Sequence, residues 1–284
     1  MTDNGSEQIV TWDTSAICNL AKLSDCEDLI AQMKIAHTHW IPAYVFFEIA
    51  ATSVGETRDR LLSICRKLKG SSGRVLIDHG SLVGAAIRIF SEFGFLDWDV
   101  LLTTQLEYEQ AIDSGVFNDD LAKIQKVQNQ NNLRQAEEYF AQTKAQFDSL
   151  FQSGLDRPKT LDEIIARACS TGLIQQNVRY YFKSILGQAV DWQYAGRFAK
   201  SFPPIVAMIC AFLIGHYDRN KPQPTPDPAG ATDLLAALYL PVCHKFVSND
   251  QDQQIVFRNV AKYCSLRTEV IWFSGDFKRL LSPN

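Results

Sequence analysis

Short apolar segments that run into an acidic residue and then into helical spacing recur at both ends of this 284-residue sequence, with a long helical stretch between them. No other feature constrains the fold as much. Strands alternating with helices build a mainly parallel sheet, since a parallel pair needs a crossover long enough to hold a helix. Residues 9–12 read as a strand ending at Asp13, 15–22 and 28–35 as helices, and 39–41 as a second strand. Pro42 is placed to open the helix that carries Glu48. Residues 57–69 form a further helix, 70–73 a turn, 74–77 a strand and 81–93 an amphipathic helix.

From about residue 103 to 216 the pattern is helical. It includes a polar stretch, 118–151, whose apolar positions Leu121, Ile124, Val127, Leu133, Ala136, Phe140, Ala145, Phe147 and Leu150 recur mostly at threes and fours. Residues 220–230 hold four prolines (Pro222, Pro224, Pro226, Pro228) and read as a stiff exposed connector. Beyond it residues 232–240 are helical, 245–247 a strand, 250–263 a helix, 269–273 a strand and 277–281 a short helix. The expectation is one three-layer α/β domain built from residues 1–74 and 229–284, interrupted by a mainly helical insertion over 75–228.

Composition sets what such a domain can do. An apolar fraction of 46% is that of a folded chain. Acidic residues outnumber basic ones, 32 to 28, so any grip on a polyanion must be local or metal-mediated. The seven scattered cysteines contain no C-x-x-C pair and read as reduced, mostly buried thiols. Residues 1–8 are polar and lack a cationic stretch followed by an apolar run, which predicts a cytoplasmic protein. The longest apolar run, 205–215, is shorter than the roughly 20 residues that cross a bilayer, so it reads as a buried helix and no membrane association is expected.

Four acids stand where chemistry is plausible: Asp13 and Asp250 at the ends of strands, Glu48 on an apolar helix, and Asp233 at a helix start. In an open parallel sheet, ligands bind off the carboxyl ends of the strands. Each aspartate also suits a helix cap, and Glu48 suits an exposed face. A carboxylate among Val45, Phe46, Phe47 and Ile49 nonetheless calls for a counter-charge or a cation. Clustered carboxylates without a His or Cys set of ligand spacing favour a hard ion, Mg²⁺ or Mn²⁺, over zinc. No G-x-G-x-x-G, P-loop or G-x-S-x-G segment is present, so nucleotide-cofactor and serine-hydrolase readings have no anchor.

Ile9-Val10-Thr11-Trp12-Asp13-Thr14-Ser15, the 41–48 segment ending in Glu48, Ala231-Thr232-Asp233-Leu234 and Phe246-Val247-Ser248-Asn249-Asp250 together resemble the PIN-domain nucleases, a family that includes toxin ribonucleases of toxin–antitoxin pairs. The resemblance covers roughly residues 8–70 and 230–284, and its departure is the long stretch between. It implies a metal-dependent endoribonuclease in which Asp13, Glu48, Asp233 and Asp250 bind one or two ions, Asp252 is a reserve ligand, and Ser15 and Ser248 supply supporting hydrogen bonds.

Substrate phosphates are assigned to the densest basic run, Arg58, Arg60, Arg66, Lys67 and Lys69, followed by Arg74, although such a run also suits a solvated helix face. Arg179, Tyr180, Tyr181 and Lys183 mix cations with aromatics and suit either stacked bases or a packed face. RNA is the expected substrate; an antitoxin or other protein partner and a homodimer are further expectations. The alternatives are a PIN-like RNA- or protein-binding module without turnover and a DNA-directed nuclease.

Overall fold

The computed structural model describes residues 8–96, 109–110, 119–150, 160–221 and 228–281. Five short strands form one parallel sheet: β1 (Ile9–Trp12), β2 (Thr38–Pro42), β3 (Val75–Leu76), β4 (Lys245–Ser248) and β5 (Glu269–Trp272), in the order β3-β2-β1-β4-β5. β1 is central and pairs on both sides, Thr11 with Trp40 and Trp12 with Val247. The two ends of the chain therefore meet in the middle of the sheet. Strand order turns back at β1, so the carboxyl ends of β1 and β4 flank a crevice of the kind in which ligands settle.

Alternation along the strands feeds two cores. Val10, Trp12, Val247 and Ile271 face one cluster, while Phe246 and Val270 face the other. Helices cover both faces, giving three layers. On the first side lie α1 (Thr14–Leu20), α2 (Cys26–Ala36), α3 (Ala43–Thr52), α4 (Gly55–Lys69) and the short C-terminal turns. On the second lie α5 (His79–Phe93), α6 (Asp119–Ser149), α7 (Leu161–Ser170), α8 (Leu173–Leu186), α9 (Trp192–Ser201), α10 (Pro203–Asn220), α11 (Ala231–Leu235) and α12 (Gln251–Tyr263).

The helices of segment 75–228 share the second core with Phe246, Phe257 and Val270 of the α/β part. They form the third layer of the domain. The edge strand β3 lies just beyond residue 74, within that segment, and closes a turn at Gly73, where a Cβ would come within 2.1 Å of the His39 carbonyl oxygen.

Most expected elements are present, with differences at their ends and on their faces. The helix expected over 232–240 is α-helical only through Leu235 and then tightens into a 3₁₀ turn, Ala236–Val242, which accommodates Pro241. The last strand stops at Trp272, because Phe273 opens a short helix, α13 (Phe273–Asp276), and the terminal helix is 3₁₀, Phe277–Leu280.

On α6, Ala136 and Phe147 are buried, as is Leu150 just past its end, but Ile124, Val127 and Leu133 are exposed, so the apolar stripe is covered over only part of its length. The expected connector begins after Asn220 ends α10. Its Pro222, Pro224 and Pro226 lie outside the described residues, as do Met1 to Glu7. Ala229, at its end, is buried rather than exposed, because the Arg219 guanidinium donates to its carbonyl. The apolar run 205–215 is buried inside α10, and among the described residues no single helix is long and apolar enough to cross a membrane. All seven cysteines are free, four of them buried.

Candidate active site

Asp13 is the first residue past β1. Its backbone N–H donates to Val247 O at 2.9 Å, which continues the β1–β4 ladder by one step and fixes where the carboxylate emerges. The side chain is 7% exposed and both oxygens are held. Oδ2 accepts from Ser15 N at 3.0 Å and Ser15 Oγ at 2.6 Å, and Oδ1 accepts from Tyr44 Oη at 3.0 Å. Asp13 thus caps α1 and is presented to the crevice by the same bonds.

Glu48 reaches the site from α3, whose other side chains fill the first core. Its carboxylate accepts from the Thr14 hydroxyl and is half-buried. Asp233 lies in the first turn of α11 and accepts from Gly230 N at 2.8 Å. Asp250 caps α12, accepting from Gln253 N at 2.8 Å, and Gln253 in turn donates through Nε2 to Asp233 O at 3.2 Å. The two serines join β1 to β4: Ser15 Oγ accepts from Asn249 N at 2.9 Å and lies 3.3 Å from Ser248 Oγ, which accepts from Asp250 N at 3.0 Å.

The four acids share one electrostatic field. Burial, then the charge of Asp13, pushes the Glu48 carboxyl up to about 7 against the pull of the Thr14 hydroxyl, with Asp233 adding to the rise. Burial and Asp13 push Asp233 up to about 6; Asp250 adds to this, while Gly230 N and Arg219 oppose it. Burial and the charges of Asp13 and Glu48 push the Tyr44 phenol well up, so it stays a hydrogen-bond donor.

Among the described residues no three His, Cys, Asp or Glu side chains are drawn closely enough together to hold a metal ion as they stand. Each of the four carboxylates instead accepts from a donor close by.

Asp252 sits in the first turn of α12 and lines a separate small cavity with Asp218 and Lys221, so it is not grouped with the four. In the basic run, Arg58 and Lys69 are buried, and Lys67 pairs with Glu27 of α2 at 2.5 Å. Lys67 thus ties α4 to α2, while Arg58 pairs with Asp59 of its own helix and Lys69 donates to Gly70 O; Arg60 is exposed and Arg66 half-buried. Arg179 donates to Val190 O at 2.7 Å and lies over the Trp192 ring, a packed arrangement.

Sequence reading passed over Tyr44, although it lies one helical turn before Glu48 and that spacing puts both on one face of α3. It also passed over Arg219, whose guanidinium donates to Gly215 O and Ala229 O while bearing on Asp233, and over Asn129 and His79, which line a cavity of about 20 Å³ beside Glu48. No local signal marks these three, which arrive from the helical segment.

Because Glu48 stands well above the ordinary glutamate value, the folded state holds its proton more tightly than the unfolded chain does. The resulting penalty is absent below the ordinary carboxylate range, grows as pH rises towards about 7, and is complete above it. Glu48→Gln is therefore expected to stabilise the metal-free protein at pH 8 by roughly 1–3 kcal/mol, less than the full shift because the carboxyl is only half-buried. The gain shrinks towards zero near pH 4.5. His37 and His39, both pulled down to about 4 by burial, act in the opposite sense but equally in both proteins. Urea unfolding in chelator at the two pH values reads this, and a variant less stable than wild type at pH 8 would count against the clustered-charge account.

No protein-family model, curated protein or solved structure gives a significant match to this chain.

Proposed function

We propose that this chain is a PIN-like, metal-dependent nuclease that hydrolyses RNA phosphodiester bonds at the cleft bearing Asp13, Glu48, Asp233 and Asp250. The observation that carries the reading is that Asp13, just past β1, bears on both Glu48 of α3 and Asp233 of α11, with Asp250, just past β4, adding its charge at Asp233. Clustered, partly buried carboxylates call for an offsetting positive charge, which a bound cation would supply alongside Arg219, whose charge opposes the rise of Asp233.

The donor set fits Mg²⁺ or Mn²⁺: it is all oxygen, anionic and reinforced by the Ser15, Ser248 and Thr14 hydroxyls. Asp13, Glu48, Asp233 and Asp250 would hold the ion, which supplies a water of lowered pKa and charge stabilisation at the phosphate. Ser15 and Tyr44 fix both oxygens of Asp13. The rise of Glu48 belongs to the metal-free protein; a bound cation would oppose it and hold Glu48 ionised as a ligand. Arg60 of α4 and Arg74 beyond it, both exposed, are cations of the basic stretch open to substrate phosphate.

One observation favours the second reading, a PIN-like binding module without turnover. α6 packs across α3 and α11, the helices that carry Glu48 and Asp233, and narrows the space beside them.

The two readings separate on a panel of tRNA, rRNA fragments, single-stranded RNA and single-stranded DNA, incubated with Mn²⁺, with Mg²⁺ and with chelator. Cutting of RNA in either metal and its loss in chelator are expected, along with a higher unfolding midpoint in Mn²⁺ than in chelator. Cutting confined to DNA replaces the substrate class. No cutting anywhere leaves the module.

A further inference from the structure

The helical layer carries a further cavity, half open to the surface and about 300 Å³, for which phosphodiester cleavage by itself has no use. It lies between the start of α5, the middle of α6 and the second half of α8, with Met208 of α10 and Leu235 of α11 behind. His79 and Leu235 line both this cavity and the small one that Glu48, Tyr44 and Thr232 enclose, so the two spaces adjoin.

Three tyrosines stand in its wall, two of them held by hydrogen bonds, and Glu138 adds a carboxylate. Tyr139 and Tyr181 pack together with ring centroids 5.0 Å apart. Tyr139 Oη donates to Asn177 Oδ1 at 3.2 Å and Tyr181 Oη to Met208 Sδ at 3.9 Å. Tyr180, 42% exposed, stands beside them, edge-on to the Tyr181 ring at 6.2 Å. Gln135, Gln142 and Ser184 add amide and hydroxyl groups, which can both donate and accept.

We propose that this cavity receives one unpaired nucleobase of a single-stranded substrate, on the strand whose phosphate enters the acid cleft. The second half of that statement rests on the nuclease reading; occupancy by a base does not. A flat apolar-faced ring with polar edges matches a tyrosine-bearing wall with a few amides, and small-molecule sites of this kind begin at about 300 Å³. Stacking on tyrosine requires the base to be out of a duplex, which selects single strands and loops. Arg179 is not part of the site, being engaged with Val190 and Trp192 on another side of α8.

Binding is measured by fluorescence anisotropy in chelator, where metal-dependent cutting is silent. The ligands are labelled single-stranded RNA octamers, the same octamer in DNA, and a series with one abasic residue at each position. The full chain is compared with Tyr180→Ala and Ser184→Trp, two exposed positions on the cavity wall whose replacement leaves the cores intact. Each variant is expected to weaken RNA binding by roughly 5- to 150-fold, the range set by the loss of one stacked base.

One abasic position is expected to cost wild type the same factor and to cost Tyr180→Ala nothing further. Variants that bind like wild type, an abasic series without a sensitive position, or no binding of the octamers overturn the proposal. A chain that shows the expected binding pattern but cuts nothing in Mn²⁺ overturns the nuclease reading and upholds the base site. One that cuts RNA but binds alike with every variant does the reverse.

Discussion

Asp13→Asn is expected to lower metal-dependent RNA cleavage by roughly a thousandfold or more, equivalent to about 4 kcal/mol of barrier, while leaving the fold in place. The substitution keeps shape and removes charge. Asp13 is buried at the join of β1 and β4, with Oδ2 on Ser15 and Oδ1 on Tyr44. An amide oxygen can still accept from Ser15, and the Tyr44 hydroxyl can turn to accept from the amide nitrogen, so the cap of α1 survives.

What is lost is the anion nearest the centre of the cluster, the charge that raises both Glu48 and Asp233. The variant should therefore also bring the Glu48 titration down from about 7, visible by carboxyl carbon NMR in metal-free buffer. Initial rates on the best substrate of the panel, with thermal unfolding as a fold check, decide the matter. Activity within tenfold of wild type would sink the assignment of Asp13 to the reacting centre.

Trp12→Ala is expected to destabilise the protein by about 3–5 kcal/mol, the range for emptying an aromatic site in a packed core. Trp12 is fully buried on the central strand, lies against Phe273 with ring centroids 6.1 Å apart, and donates from its indole to His39 Nδ1 at 2.9 Å. Alanine leaves a cavity and strands the imidazole acceptor. Trp12→Phe, which keeps most of the volume and drops only that hydrogen bond, should cost about 1–2 kcal/mol. Urea unfolding of the three proteins measures both, and an alanine cost below about 1 kcal/mol would mean that β1 is not the core strand described here. The site is tied to this result, because Asp13 takes its position from the residue before it.

How far each feature could be read ahead depended on how local its cause is. The strand over 9–12 and the helices around 28–35 and 250–263 follow from the alternation or helical spacing of their own residues. Asp13 and Asp250 at helix starts follow from short-range capping, and both do cap. Tyr44 was within reach by the same logic. The basic run over 58–69 was legible as charge but not as role, since whether Arg58 and Lys69 face solvent or core depends on what α4 packs against. Along α6, Ala136 and Phe147 found cover while Ile124 and Val127 did not, although all four fit the same spacing.

The sequence by itself determined the local elements, the places where strands give way to acids, and the excess of acidic over basic residues. Interactions within a few residues along the chain are enough for that. Tertiary structure decided that β1 and β4 lie side by side, that the helical segment supplies the third layer of the domain, and that Arg219, Asn129 and His79 stand beside the acids. It also decided that the tyrosines of α6 and α8 wall a cavity next to Glu48. Those outcomes depend on which distant apolar faces bury one another, and that choice is made by the packing of the whole core rather than by any segment of it.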